Sequence, residues 1–485
     1  MRITLILLLF LILNLFHSTG AVFAQDDHER YRVVIMTDMT HDDGNSLIRY
    51  LYYSPHFDTE AIIVTNQLPD YFHDDEGPWV KVQSILSAYA EEYDQLIRHD
   101  PEFPTFEELS SITKRGRGAL PIIWTTEDRE FTGQIAGRYV ESSWGEIRFD
   151  DWIGEGENPN GEPKDSEGSE FLIDVFSKDD DRPIFVQLWG GPITFIQSLY
   201  RFEERYGSKK LEELLDKLIV YSIHMQDISI DYLIDLEKVR EQDCLNIGGT
   251  RSTFGGKRVK PGMFIVDEDH FWRYLKAVDR SQVNGYGPMS ELYDGGGEGD
   301  TPAFLYLVSA MKGLNDPLDP TQGSWGNMFT PMEKPFPENY FQTCGMDNGE
   351  IERWIEDATN SFMARLQWLV KDPGEVNRAP VAVLNGDSGN SVIRMAVQPA
   401  ERIQLDAAGS YDPLGGDIHF NWFQYAEADS YPEAVQIENA SSAKQVFEVP
   451  SDAADTDIHL VLEVRDHGDP ELVSYRRVIL QVNTR

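Results

Sequence analysis

The sequence predicts an α/β domain with a mainly parallel sheet and helices on both faces over residues 30–372, followed by an antiparallel β-sandwich over residues 378–485. Three observations lead there. In the first part, short β-branched apolar runs alternate with helical patterns, which is the βαβ signature of a parallel sheet. Beyond residue 380 the apolar runs become short and alternating, with turn residues between them, as in a sandwich. Between the two lies Lys371-Asp372-Pro373-Gly374-Glu375-Val376-Asn377-Arg378-Ala379-Pro380, a polar, Pro- and Gly-containing linker.

The first βαβ unit, residues 32–66, organises the chain. Residues 33–36 have the length and branching of a buried strand, and the run ends in Thr37-Asp38-Met39-Thr40-His41-Asp42-Asp43-Gly44. A helical face of Leu47, Ile48 and Leu51 follows, and then a second apolar run, 61–64, closed by Thr65-Asn66. The acidic loop therefore falls at the carboxyl end of a strand, the edge at which open α/β sheets bind ligands. Asp38, Asp42 and Asp43 would repel one another unless a cation lay among them, so they are candidate ligands for a hard metal. Asp42 or Asp43 equally fits a plain helix N-cap; the position straight after a buried strand raises the metal reading.

Further along, residues 70–79 form an acidic and aromatic loop and 80–96 an amphipathic helix. Residues 99–118 carry Pro101, Pro104 and the basic run Lys114-Arg115-Gly116-Arg117, which reads as a solvated loop or as a contact for an anionic or sugar substrate. Residues 150–168 are rich in Gly, Pro and acid and read as an exposed loop. A helix over 171–176 leads to a strand over 183–188, closed by Trp189-Gly190-Gly191-Pro192-Ile193-Thr194, and then a helix over 195–206. The glycines allow close backbone approach at the same sheet edge as the acidic loop. A third strand, 217–223, ends in His224-Met225-Gln226-Asp227; His224 and Asp227 are candidates for the same cleft, with a structural role for His224 at least as well supported. Gly295-Gly296-Gly297-Glu298-Gly299-Asp300-Thr301-Pro302 then opens an apolar helix over 303–311. Asp300 is either its N-cap or a fourth carboxylate brought to the metal site. A closing helix covers 350–371, with Trp354, Phe362 and Leu366 on its apolar side.

Composition sets the class of partner. Of 485 residues, 83 are acidic and 42 basic, a formal net charge of −41, which repels phosphate backbones and argues against nucleic acid as a partner. Hydrophobic content of 41% and aromatic content of 12% are those of a globular chain. Arg2, the apolar run 3–16 and Ala21-Val22-Phe23-Ala24-Gln25 read as a secretory signal peptide over 1–24, cleaved after Ala24, so the expected location is secreted or periplasmic. The run is short for a membrane anchor, and no stable membrane insertion is expected. Cys244 and Cys344 are the two cysteines; export permits a disulfide, and a free buried pair fits equally.

Four motifs, in order, resemble the calcium-dependent nucleoside hydrolases: Asp38-Met39-Thr40-His41-Asp42-Asp43 after a strand, Asn66 after the next, Gly191-Pro192-Ile193-Thr194 after another, and Asp300-Thr301-Pro302-Ala303 opening a helix. The whole chain looks closer still to a secreted branch that joins a nucleoside hydrolase-like domain to a C-terminal Ig-like domain, often called cellulose-binding proteins. The resemblance implies calcium (Ca2+) held by Asp38, Asp43, Asp300 and the backbone carbonyl near Gly190, with Asp38 activating the attacking water and Asp42 and Asn66 holding sugar hydroxyls. It implies a small glycoside or carbohydrate substrate, with a polysaccharide surface as a further partner. Hydrolysis of N-glycosidic or related glycosidic bonds is the leading expectation, and a carbohydrate-binding protein with a vestigial hydrolase domain the alternative. Three departures bear on that choice. Met39-Thr40 replaces the family's Pro-Gly, Gly299 replaces the histidine that helps the leaving base depart, and Phe195 replaces the Asn of the G-P-L-T-N turn.

In the C-terminal part the predicted strands are 381–384, 402–405, 419–425, 443–449, 458–464 and 475–482. Leu405-Asp406-Ala407-Ala408-Gly409-Ser410-Tyr411-Asp412-Pro413 with Asn421-Trp422 resembles the PKD-like Ig modules of exported bacterial enzymes. Alternation places Trp422 in the core and not on a sugar-stacking surface.

Overall fold

A computed structural model describes residues 30–66, 77–118, 147–239, 252–253, 258–268, 280–294, 297–343 and 352–483. The expected signal peptide and both cysteines lie outside these residues.

The acidic loop's strand lies inside the sheet, third from one edge. In chain order the first elements are β1 (Tyr31–Thr37), α1 (His41–Leu51), β2 (Phe57–Asn66), α2 (Gly77–Leu96), α3 (Phe106–Ile112) and β3 (Thr113–Gly118). Then come α4 (Glu167–Phe176), β4 (Ile184–Leu188), α5 (Ile193–Tyr206), α6 (Ser208–Leu215), β5 (Leu218–Ile223), β6 (Met263–Asp267), α7 (Thr301–Met311), β7 (Thr330–Pro331), β8 (Tyr340–Gln342) and α8 (Ile355–Leu366). Among the described residues these strands form one eight-stranded sheet in the order β3-β2-β1-β4-β5-β6-β8-β7. Every pair is parallel except β8 with β7.

Strand alternation divides the core in two. Val33, Ile35, Ile62, Val64, Phe185, Ile219 and Ile265 face one layer, with α1, α2, α7 and α8. Val34, Met36, Ile63, Val186, Leu188, Val220 and Phe264 face the other, with α4, α5 and α6. Successive residues of one strand point to opposite faces, so a sheet covered on both sides needs unbroken apolar runs, which these strands have.

The C-terminal part holds β9 (Ile393–Val397), β10 (Arg402–Asp406), β11 (His419–Gln424), β12 (Lys444–Glu448), β13 (Thr456–Arg465) and β14 (Val473–Val482). A four-stranded sheet, β9-β14-β13-β11, accompanies the β10-β12 pair around a core containing Trp422, Leu462 and Leu480. Trp422 is a core residue, as its alternation indicates.

Several local expectations are corrected. The β9–β14 pair is parallel within an otherwise antiparallel sheet, and β9, half exposed along its length, was not expected from the sequence. Residues 381–384 contribute only the isolated bridges of Val381 with Tyr411 and Leu384 with Asp387. The basic run is not a solvated loop but strand β3 at one edge of the sheet, preceded by α3. Arg117 there is buried and donates from Nη1 to the carbonyls of Trp152 (2.8 Å) and Lys164 (3.1 Å). These carbonyl partners are distant in sequence, so local composition gave no sign of them.

The two parts share a core. Tyr425, Val461, Val473 and Tyr475 of the C-terminal sheet join the α1/α2/α7/α8 layer. Asp357 of α8 receives Arg465 Nη1 at 2.6 Å, Arg465 Nη2 at 2.9 Å and the Tyr475 hydroxyl at 2.6 Å. Just past α7, the carbonyl of Lys312 accepts the Tyr475 amide at 2.8 Å and that of Gly313 accepts the Arg477 amide at 3.2 Å.

Candidate metal centre

Strand β1 has β2 on one side and β4 on the other. The chain thus moves one way from β1 and later returns to its other side. The gap outside the carboxyl ends of β1 and β4 is the topological switch point, where open α/β sheets form their ligand crevice. Asp38 leaves β1 at that point and Trp189-Gly190 leaves β4.

The acidic loop is folded onto the carboxylate of Asp43. Its Oδ1 accepts from Thr37 Oγ1 at 2.5 Å and from the Asp38 amide at 3.1 Å. Thr40 Oγ1 stands 2.8 Å from Asp43 Oδ2 and 3.2 Å from Asp42 Oδ1, so its one proton is shared between two carboxylates. Asp38 Oδ1 accepts the Thr40 amide at 3.1 Å. Between them Met39 adopts a left-handed φ of 57°, which turns the chain tightly without the glycine or proline usual in such turns. Lys81 of α2 closes the outside of the loop, donating to the carbonyls of Thr40 (2.8 Å) and Met39 (3.3 Å). The N-cap position of α1 is Thr40, so Asp42 and Asp43 belong to the first turn and neither is a plain cap.

Gly190 packs directly on Asp38. A Cβ at Gly190 would stand 2.9 Å from both the Cβ and the amide nitrogen of Asp38 and 3.0 Å from its Oδ2. The amides of Trp189 and Gly190 donate to the carbonyl of Met36 at 2.8 and 3.1 Å, locking the turn after β4 onto the end of β1. On the other side of the turn, Gln226 donates to the Trp189 carbonyl.

Asp300 arrives from far along the sequence. It is the N-cap of α7, yet its side chain makes no capping hydrogen bond. Ligand oxygens of Asp42, Asp43 and Asp300 lie within 4.8 Å of one another. Three polar residues of α1 hold the approach. Asn45 Nδ2 donates to the Gly297 carbonyl at 2.8 Å, Thr301 Oγ1 donates to Ser46 Oγ at 2.9 Å, and Arg49 Nη1 meets Glu298 Oε2 at 2.5 Å. Tyr293 donates to the other oxygen of Glu298 at 2.6 Å, and Arg49 also donates to the Ala358 carbonyl at 2.5 Å. The sequence reading did not single out Asn45, Ser46, Arg49 or Glu298. The available signal was three polar residues, Asn45, Ser46 and Arg49, set among Leu47, Ile48, Tyr50 and Leu51 in the later turns of the helix.

Asp38, Asp43 and Asp300 are all buried, and Asp42 is partly exposed. Burial, then the charge of Asp43, pushes the Asp38 carboxyl well above the usual carboxylate range. Burial, then the charge of Asp42, raises Asp43. Among the described residues no Lys or Arg pairs with Asp38 or Asp43. Buried carboxylates in this state need a proton or a cation, and an all-oxygen donor set is what a hard divalent ion takes.

The other expected residues fall as follows. Asn66 is the last residue of β2, its backbone aligned with Gly118 of β3, and its side chain lies outside the described part. Phe195 is buried, with its ring 6.0 Å from that of Phe176 in the α4/α5 layer. Asp227 does structural work: its Oδ1 accepts from the amide (2.7 Å) and hydroxyl (2.5 Å) of Ser229 at the start of a short 3-10 turn. His224 Nδ1 sits 2.9 Å from Glu268 Oε2.

Fold and site together define an α/β protein of nucleoside hydrolase-like architecture, with a carboxylate cluster at the switch point. By family models, residues 32–329 match "Cellulose-binding Sde182, nucleoside hydrolase-like domain" and residues 402–482 match "Cellulose-binding protein Sde0182, C-terminal domain", and the chain belongs to this family. A similar solved structure is that of a nucleoside hydrolase-related hypothetical protein from Saccharophagus degradans that is associated with carbohydrate metabolism. It is 30% identical with a TM-score of 0.69, over 94% of this chain and 100% of that one. The effector protein XOO4466 is 12% identical with a TM-score of 0.30, over 70% of this chain and 93% of that one, too distant to carry an argument. No curated protein matches. Among the described residues no helix is long and apolar enough to cross a membrane.

Proposed function

We propose that this chain is an exported hydrolase of glycosidic bonds in carbohydrates, working at a carboxylate-held calcium. The observation that carries the reading is the meeting of Asp42, Asp43 and Asp300 within 4.8 Å beside Asp38 at the switch point. Asp38, Asp43, Asp300 and the carbonyl near Gly190 are the proposed calcium ligands, and Asp42 and Asn66 the proposed holders of sugar hydroxyls. Calcium, when bound, supplies positive charge that orients a water and makes it more acidic. Asp38, kept as a carboxylate by the cation, would take the proton of the attacking water. As the water oxygen bonds to the anomeric carbon, the bond to the leaving group breaks and its electron pair leaves with that group. Gly299 offers no proton donor, so the departing sugar oxygen takes its proton from solvent water as the bond breaks. Carbohydrate is preferred over nucleoside because the family description reads cellulose-binding and the Saccharophagus relative is described as associated with carbohydrate metabolism. The proposed division is a signal peptide over 1–24, the hydrolase-like domain over 30–372 and the Ig-like domain over 378–485.

A second reading, a carbohydrate-binding protein whose hydrolase domain no longer turns over, is favoured by Gly299 and by the burial of Phe195. Calcium calorimetry followed by a hydrolysis screen over nucleosides, cello-oligosaccharides and other plant or algal oligosaccharides separates the two. The hydrolase reading expects calcium binding and a turnover that Asp38→Ala abolishes. Turnover indifferent to Asp38→Ala would sink the catalytic assignment. Polysaccharide binding without turnover, lost on deleting residues 376–485, would establish the second reading.

A further inference from the structure

The C-terminal sheet carries a second cluster, chemically unlike the first. His419 is the first residue of β11 and pairs in register with Arg465, the last residue of β13. His467 and Glu471 sit on the connection from β13 to β14. One ligand atom from each of His419, His467 and Glu471 lies within 4.8 Å of the others. The two imidazole rings stack with centroids 4.9 Å apart and planes 23° apart. Nδ1 of His419 is buried and makes no hydrogen bond to the described residues, so that nitrogen has no structural partner.

The connection is held in place before any ligand arrives. Asp466, fully buried, accepts the amides of Gly468 (2.9 Å) and Leu472 (3.0 Å) on Oδ1 and Asn377 Nδ2 (2.9 Å) on Oδ2. Asn377 Nδ2 also donates to the Pro470 carbonyl at 2.8 Å, and Gln367 Nε2 reaches the Asp469 carbonyl at 3.2 Å. His467 and Glu471 are thus presented from a loop braced on both sides. Glu471 Oε1 is 3.4 Å from Arg465 Nη1, but that guanidinium is already engaged by Asp357 at 2.6 Å and Glu463 at 3.1 Å. Its hold on Glu471 is the weakest of the three.

We infer that His419, His467 and Glu471 form a binding site for a borderline divalent transition metal, zinc by preference. Two imidazoles and one carboxylate suit zinc and leave room for water as a fourth ligand. Calcium takes oxygen ligands and gains nothing from imidazole nitrogen. The bound ion ties the start of β11 to the β13–β14 connection, next to Asn377 of the linker and Gln367 beyond α8.

The test uses the full chain, stripped with chelator and titrated with zinc chloride by calorimetry, with cobalt(II) absorption as a second readout. The expected result is a zinc site in the wild type that is lost in His467→Ala and in His419→Ala. Glu471→Gln should weaken it, and calcium binding should be the same in all four proteins. His467 is exposed, so its replacement does not threaten the fold. A wild type that takes up no zinc, or two histidine variants that bind zinc as the wild type does, would overturn the assignment. Failure of calcium to bind anywhere would count against the hydrolase reading and leave this one standing.

Discussion

Gly190 and Asp38 occupy contiguous space at the ends of neighbouring strands, close enough that a Cβ on Gly190 would lie 2.9 Å from the Asp38 amide nitrogen. Both contact atoms are backbone or Cβ, which cannot swing aside. Gly190→Ala should therefore displace the acidic loop, at a cost of about 1–3 kcal/mol in stability from overpacking. Calcium affinity should fall with it. Denaturant unfolding and calcium calorimetry check both, and an unaltered calcium isotherm would show that Gly190 is not needed to shape the site.

Asp43→Asn should separate stability from binding. Asp43 is buried beside Asp38 and Asp42, and the neutral amide removes like-charge repulsion from a desolvated site. Its carbonyl oxygen can still accept from Thr37 and the Asp38 amide. The calcium-free variant should melt no lower than calcium-free wild type. Calcium should raise the melting temperature of the wild type, by about 2.7 kcal/mol of stability at one hundred times the dissociation constant, and leave the variant unmoved. Scanning calorimetry with and without calcium is the measurement, and an equal calcium-induced rise in both would refute the ligand role.

Asp357 joins helix α8 to the C-terminal sheet through Arg465 and Tyr475. Asp357→Asn should cost about 2–4 kcal/mol, since it leaves a largely buried guanidinium short of its main partner. Glu463 at 3.1 Å limits the loss. The damage should extend to the metal centre, because Asp357 adjoins Ala358, whose carbonyl receives Arg49, the residue that holds Glu298. Lower calcium affinity alongside lower stability is the expected pair. Lower stability with unchanged affinity would confine Asp357 to the junction.

Glu92 gives the fold a pH dependence. Burial lifts its carboxyl from 4.5 to about 7, although the Met289 amide and the Tyr52 hydroxyl donate to it. The folded value is raised, so the folded state binds the proton more tightly than the unfolded chain. Its contribution is full below pH 4.5 and is lost as pH rises through about 7. The full swing is about 3 kcal/mol. In Glu92→Gln the carbonyl oxygen can still accept the Met289 amide while the side-chain NH2 donates to the Tyr52 hydroxyl, and the variant should flatten the stability profile between pH 4.5 and 7. Urea unfolding across that range decides it, and a variant with the wild-type slope would assign the pH dependence to other groups.

The parts of the fold legible in the sequence are those written in local pattern. Strands β1, β2, β4 and β5 are β-branched runs bounded by turn residues, and strict alternation exposed the sandwich and placed Trp422 in its core. The loop Asp38–Asp43 was readable because repelling carboxylates after a buried strand are themselves an anomaly. Strand β9 escaped because its half-exposed residues carry a weak apolar signal, and β3 because its side chains are basic.

What the sequence determined by itself is thus the alternation of elements and the acidic turn that ends β1. What tertiary structure decided is which distant residues join that turn. Sheet order sets β4 beside β1 and so presses Gly190 onto Asp38. The Arg49–Glu298 pair and the Asn45 bond to Gly297 bring in Asp300, some 260 residues downstream of Asp38. His419 meets His467 only because β11 pairs with β13 in that register. Periodicity is a property of neighbours along the chain and fixes local conformation. Convergence of charges depends on long-range packing and on counter-charges that no window of sequence contains.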